Sequence, residues 1–218
     1  MKPLQRGEIL DLVQYEKRRK DIRAELMALK DRRRLHLNPF LTLLFENRRT
    51  IWYQIQEMMR AERMVEEEAI LGEMETYGPL VPGREEWKAT LYIEIPDLDR
   101  LKETLPKLVG VENTVYARIG QERVRAVGEE GRSREDYTST VHYLTWSLPA
   151  GARESLRKGA PLFFGVDHAG ASAEVPAGDS LRTELLSDLD AEKANGPPFE
   201  PAAGGNLGGP FRPPPEGT

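Results

Sequence analysis

The hydrophobic pattern changes its period once, and that change limits what the chain can fold into. Up to Thr76, apolar residues recur at three- and four-residue intervals. Past Pro82-Gly83, Trp87, Ala89, Leu91, Ile93 and Ile95 alternate with Lys88, Thr90, Tyr92 and Glu94. The first spacing lines one face of a helix and the second one face of a strand. Two helices followed by strand, helix, several strands, helix and strand argue for an α+β fold. The expected architecture is an N-terminal long helix pair with a small hairpin, packed beside a mostly antiparallel sheet with short helices on one face.

Along the chain, Leu12, Tyr15, Ile22, Leu26 and Leu29 predict a helix from Glu8 to about Lys30. Leu35-His36-Leu37 and Leu41 to Phe45 flank the turn signal Asn38-Pro39 and predict a hairpin. A second helix is expected from about Asn47 to Thr76, ending before Gly78-Pro79, with Ile51, Ile55, Met58, Met59 and Ala69 on its apolar face. Beyond the strand of alternating residues, Asp97 caps a short helix, and Thr114–Ile119 with Glu122–Val127 form a second hairpin around Gly120-Gln121. Strands over Thr138–Leu148, Pro161–His168 and Ala173–Val175 and helices over 149–158 and 179–190 complete the pattern. Residues 1–190 are expected to form one domain, with a helical arm at about 8–76 and a sheet region at about 86–190. From Ala194, seven prolines and six glycines in 25 residues leave nothing to pack, so 191–218 is expected to be a disordered tail.

Composition narrows the chemistry. The chain has 218 residues and no cysteine, which excludes disulfides, thiolate zinc sites, iron–sulfur ligation and thiol catalysis. No apolar run approaches the ~20 residues that cross a bilayer, and the N-terminus has no apolar signal core, so a cytoplasmic protein without membrane attachment is expected. The net charge of −5 is uneven: residues 1–50 hold 13 Lys and Arg against 7 Asp and Glu, and the remainder is acidic. Arg32, Arg33, Arg34, Arg48 and Arg49 could meet an anion or pair with the acidic remainder. The acidic total and the lack of an aromatic RNA-reading motif weigh against nucleic acid. Neither Gly-x-x-x-x-Gly-Lys nor Gly-x-Gly-x-x-Gly occurs, and no Gly-x-Ser-x-Gly nucleophile motif is present.

What remains is a helix crowded with polar groups and two strand histidines. Glu46, Arg48, Gln54, Glu57, Arg60 and Glu62 are the candidate ligand-binding residues, since planar and charged side chains beside Trp52 and Tyr53 can line a pocket. The same Glu and Arg residues at three- and four-residue spacing also form ordinary helix-surface ion pairs. Glu62 shares a face with Ile51, Ile55 and Ala69, and if that face is buried the carboxylate needs a partner. His142 and His168, with Asp167, form a candidate nitrogen and oxygen site suited to Zn, Mn, Fe or Ni, provided their strands are neighbours. His142 reads equally as a satisfied core histidine, and His168 as one that orients the backbone.

Phe45-Glu46-Asn47-Arg48, Tyr53 to Met58, Arg60-Ala61-Glu62-Arg63, Pro79-Leu80-Val81-Pro82, Trp87-Lys88-Ala89-Thr90 and Gly165-Val166-Asp167-His168 together resemble the bacterial domain-of-unknown-function family 3501, over about residues 4–190. That resemblance carries no established activity. It implies a setting beside rubrerythrin-like and iron–sulfur proteins, and so redox or peroxide-stress physiology. In this family a proline usually follows the Asp-His pair, where this chain has Ala169-Gly170.

The leading expectation is a cytoplasmic metal- or small-ligand-binding accessory protein. The competing one is a structural or interaction module whose helical arm meets a protein partner or a second copy and holds no ligand. An enzyme using Glu57 or Glu62 as base is a third, and no reaction is assigned.

Overall fold

The computed structural model describes residues 1–134, 136–190, 195, 196 and 198. A 3-10 turn at Arg6–Glu8 leads to α1 (Leu12–Arg32), where the Asp11 carboxylate accepts from the Gln14 amide at 2.7 Å and caps the helix. Tyr15, Ile22, Leu26 and Leu29 form its buried stripe. β1 (Arg34–His36) and β2 (Leu41–Glu46) make the expected hairpin, closed by Asn38 Oδ1 accepting from the Phe40 and Leu41 amides. Only Asn47 separates β2 from α2 (Arg48–Glu62). Its side chain accepts from the Arg49 and Thr50 amides, while Thr50 Oγ1 accepts from the Asn47 amide. This capping box turns a strand into a helix within one residue.

The second helix is shorter than its periodicity suggests. It ends at Arg63, whose φ of 54° and ψ of 38° are left-handed, with its amide bonded to Met59 and Arg60 carbonyls. A separate helix, α3 (Glu67–Tyr77), follows. A non-glycine in this conformation costs on the order of 1 kcal/mol. The break lets α3 bring Ile70 into the same apolar cluster as Ile51, Ile55 and Met59 of α2.

β3 (Glu86–Ile93), α4 (Leu98–Thr104), β4 (Val115–Ile119), β5 (Glu122–Arg125), β6 (Val127–Gly128), β7 (Val141–Ser147), α5 (Ala150–Arg157), β8 (Leu162–His168), β9 (Ala171–Pro176) and α6 (Asp179–Asp188) complete the chain. The strands form two antiparallel sheets and not one: β1-β2-β3-β7-β6 and β5-β4-β8-β9. The sheets share one apolar cluster, at whose centre Phe164 of β8 meets Phe45, Trp87 and Trp146 of the larger sheet with ring centroids 4.7, 5.9 and 5.8 Å away. The connection through α5 carries the chain from one sheet to the other, so β7 and β8 are not partners.

The buried residues therefore fall into two clusters, one between the sheets and one among the helices. Arg33 links them from a fully buried position: Nε donates to the Phe45 carbonyl at 2.8 Å, and the guanidinium pairs with Asp188 of α6. Most of the tail expected at 191–218 lies outside the described residues. Within it, the Gly196 and Pro198 carbonyls accept from Arg48 and Arg49, each at 3.1 Å.

Candidate functional site

Alternation along β2, β3 and β7 gives the larger sheet two unlike faces. Phe45, Trp87, Ala89, Leu91, Leu144 and Trp146 point toward the smaller sheet. Their neighbours Glu46, Thr90, Tyr92, Val141 and Tyr143 point the other way, and the register aligns Thr90 with Tyr143 and Tyr92 with Val141. Lys30 from the last turn of α1, Thr50, Ile51 and Gln54 of α2, Tyr77 of α3, and Leu80 meet this second face. Between them they line a cavity of about 90 Å³. That is about three water volumes at the density of the liquid.

Glu46 anchors the floor. It is buried, with Oε1 accepting from Thr90 Oγ1 at 2.7 Å and Oε2 from Thr50 Oγ1 at 2.5 Å. Each carboxylate oxygen has a further lone pair, so the group can still accept from something in the cavity. Lys30 is the cation of the site. Its Nζ stands 5.3 Å from the Tyr53 ring centroid, and among the described residues it enters no ion pair. Burial pushes the Lys30 ammonium below its usual range, against the opposing pull of the Glu46 charge. Burial, helped by Glu46, pushes the Tyr92 hydroxyl up to about 12, and burial raises Tyr143 as well, so both are hydrogen-bond donors at neutral pH. The cavity thus holds one anion, one weakened cation, phenolic donors and the Gln54 amide.

Of the ligand-binding candidates in the sequence, Glu46 and Gln54 line this cavity and four do not. Glu57 accepts from Tyr15 Oη at 2.6 Å and from Arg19 Nε and Nη2 at 2.8 Å, tying α2 to α1. Burial pushes its carboxyl up, but the hydrogen bonds and charge of Arg19 and the Tyr15 hydroxyl outweigh this and leave it below its usual range. Arg60 pairs with Glu16 at 2.9 Å, again across the two helices. Arg48 is buried against Glu8 and the Lys2 carbonyl. Glu62 ends α2 exposed, because the break at Arg63 stops the apolar face before it reaches Ala69.

The structure does not bring the metal candidates together. His142 is fully buried in the larger sheet, with Nε2 2.9 Å from the Ser139 carbonyl and 3.0 Å from Thr138 Oγ1. His168 lies in the smaller sheet. Its Nδ1 accepts from the Gly170 amide at 3.1 Å, which assigns the ring proton to Nε2, donating to the Val109 carbonyl at 3.1 Å. Asp167 faces Arg123 at 2.9 Å. Among the described residues, no group of three or more His, Asp or Glu is placed to hold a metal ion. The reason is topological, since convergence required β7 and β8 to be neighbours and they belong to different sheets.

Lys30, Thr50, Tyr77, Thr90, Tyr92 and Tyr143 were not singled out by sequence. A signal existed for three of them: Thr90, Tyr92 and Tyr143 occupy the second face of strands whose first face is apolar. Two tyrosines and a threonine there are bulkier than a solvent face needs. Lys30 gave no signal, being one of many charges on α1.

A larger hollow of about 560 Å³ opens at Arg84, Arg153, Arg157 and Asp188, but Arg153 is already paired with Glu85 and Asp188 with Arg33. The cavity over Glu46 is the better candidate.

A family model described as a protein of unknown function, DUF3501, matches residues 3–189. The chain belongs to this family. One solved relative is a crystal structure of a novel protein of unknown function from Burkholderia pseudomallei K96243. It is 36% identical, with a TM-score of 0.82, over 87% of this chain and all of that one. No curated protein matches. Both the family and the solved relative are described as of unknown function.

Proposed function

We propose that this protein binds a small hydroxy- or oxo-carboxylate in the cavity between its helices and the larger sheet, as a cytoplasmic ligand-binding protein in which residues 1–190 act as one α+β unit. The observation that carries this reading is that Lys30, which enters no ion pair among the described residues, lines the same cavity as the buried carboxylate of Glu46. A buried anion and a half-buried cation are costly to retain unless something uses them. The ligand's carboxylate faces the Lys30 ammonium and the tyrosine hydroxyls, and its hydroxyl donates to Glu46. The volume admits only a short carbon chain, well below the ~300–1,000 Å³ of cofactor pockets. The metal form of the sequence reading is not carried forward, because its ligands stay apart.

Glycolate titrated into 15N-labelled protein tests this. Shifts should gather at Lys30, Glu46, Thr50, Thr90 and Tyr92, and Glu46→Gln and Lys30→Met should each weaken binding about tenfold, the worth of one charge-assisted hydrogen bond. Shifts spread over the surface, or unchanged in both variants, would refute it.

One observation favours the interaction module instead. Arg19–Glu57 and Arg60–Glu16 consume the polar residues of α2 as cross-helix ties. That reading predicts a stoichiometric protein partner, or self-association, lost on changing exposed α1 residues, and no response to glycolate.

A further inference from the structure

Lys30 differs from an ordinary surface lysine in three independent ways. It lines a cavity, its ammonium faces an aromatic ring, and the carboxylate that shares the cavity with it, Glu46, already accepts two threonine hydroxyls. The charged groups that act on it are Glu46 and Glu57, which favour the ammonium, and Arg34, which opposes it. Burial outweighs the carboxylates and raises the fraction of neutral amine, which is the nucleophilic form. Around it stand Tyr77, Tyr92 and Tyr143, hydroxyls able to hydrogen-bond a carbonyl oxygen or a carboxylate. A lysine needed only for charge gains nothing from this setting.

We infer that Lys30 is a nucleophile that condenses with the carbonyl carbon of a small aldehyde or oxo-acid held in the cavity, forming an imine. The nitrogen lone pair makes the new C–N bond. The two protons leaving the amine and the former carbonyl oxygen depart together as water, and no oxidant or reductant is consumed. Tyrosine hydroxyls hold the carboxylate, and Glu46, which lines the same cavity and has acceptor capacity left on each oxygen, relays the protons. This inference rests on the proposed binding site and adds covalent chemistry to it.

The test uses the full chain, glyoxylate as probe, and cyanoborohydride to reduce any imine to a stable carboxymethyl-lysine, followed by intact mass and peptide mapping. Lys30 should be modified first, at glyoxylate concentrations below those that label the other lysines, since the cavity holds the probe beside an amine that burial keeps more often neutral. Glycolate, which has no carbonyl carbon, should protect it. Lys30→Arg should remove the adduct while the protein stays folded by circular dichroism. The wild-type peptide map decides the question even if that variant misfolds. Labelling spread evenly over the lysines, or a Lys30 peptide left unmodified, overturns the imine. If glycolate still binds in that case, the cavity reading survives. If glycolate does not bind either, both fall.

Discussion

The two faces of the larger sheet are built from the same strands and differ in everything that matters to function. On one side Phe45, Trp87 and Trp146 close around Phe164; the Trp87 indole donates to the Leu185 carbonyl at 3.2 Å, while the buried Trp146 indole N–H has no hydrogen-bond partner among the described residues. On the other, one residue along, Glu46, Thr90, Tyr92 and Tyr143 surround a cavity. The dry face gains stability from area and close packing, and any void in it is a loss. The polar face gives up that packing to keep hydrogen-bonding groups available. The aromatic core and the polar cavity are thus separated by a single step in a period-two pattern.

Breaking the dry face should cost most. Phe164→Ala should lower unfolding free energy by about 3–5 kcal/mol in urea, since Phe164 touches three aromatic rings across the sheets. An equal loss from any single cavity residue would erase the contrast. Glu46→Ala should cost less, about 1–3 kcal/mol. It strands the Thr90 hydroxyl, whereas Thr50 can turn to the Asn47 carbonyl at 3.0 Å. It should also lower the Lys30 pKa further, measurable by 15N-edited NMR, because the Glu46 charge is what supports the ammonium.

The helix ties rank below both. Glu57→Gln should cost at most about 1 kcal/mol, as a half-buried ion pair does. The loss should depend on pH with a definite sign. The folded-state carboxyl lies below its usual 4.5, so the contribution is fully present above about that value and disappears as pH falls through the folded-state pKa. Wild type and variant should therefore converge in stability under acid, and a gap that stays constant would mean that Glu57 acts by shape alone. Glu62→Gln should change stability by less than about 0.5 kcal/mol at any pH, as expected for an exposed helix end.

Much of the architecture could be read without coordinates. The α+β class, the first helix, both hairpins, the Asp97 cap and the strands at 86–93 and 141–147 follow from local periodicity and turn residues. The break at Arg63 could not, because no glycine or proline marks it and the apolar spacing continues past it. The division into two sheets was equally hidden, since alternation states which residues share a face and says nothing about which strand lies beside which. For the site, Glu46 and Gln54 were visible as polar residues in core-forming elements. Arg48, Glu57 and Arg60 were just as visible, and the structure uses them as ties between helices.

By itself the sequence determined the two faces of the sheet strands, because side-chain direction is a local consequence of backbone period. It therefore determined that Glu46, Thr90, Tyr92 and Tyr143 would lie opposite the aromatic core. Only the tertiary structure decided that Lys30, sixteen residues before Glu46 in the chain, would stand over that face, and that His142 and His168 would be parted into separate sheets. Those outcomes depend on how distant elements pack, and packing is settled by the combined burial of many side chains, which no local pattern records.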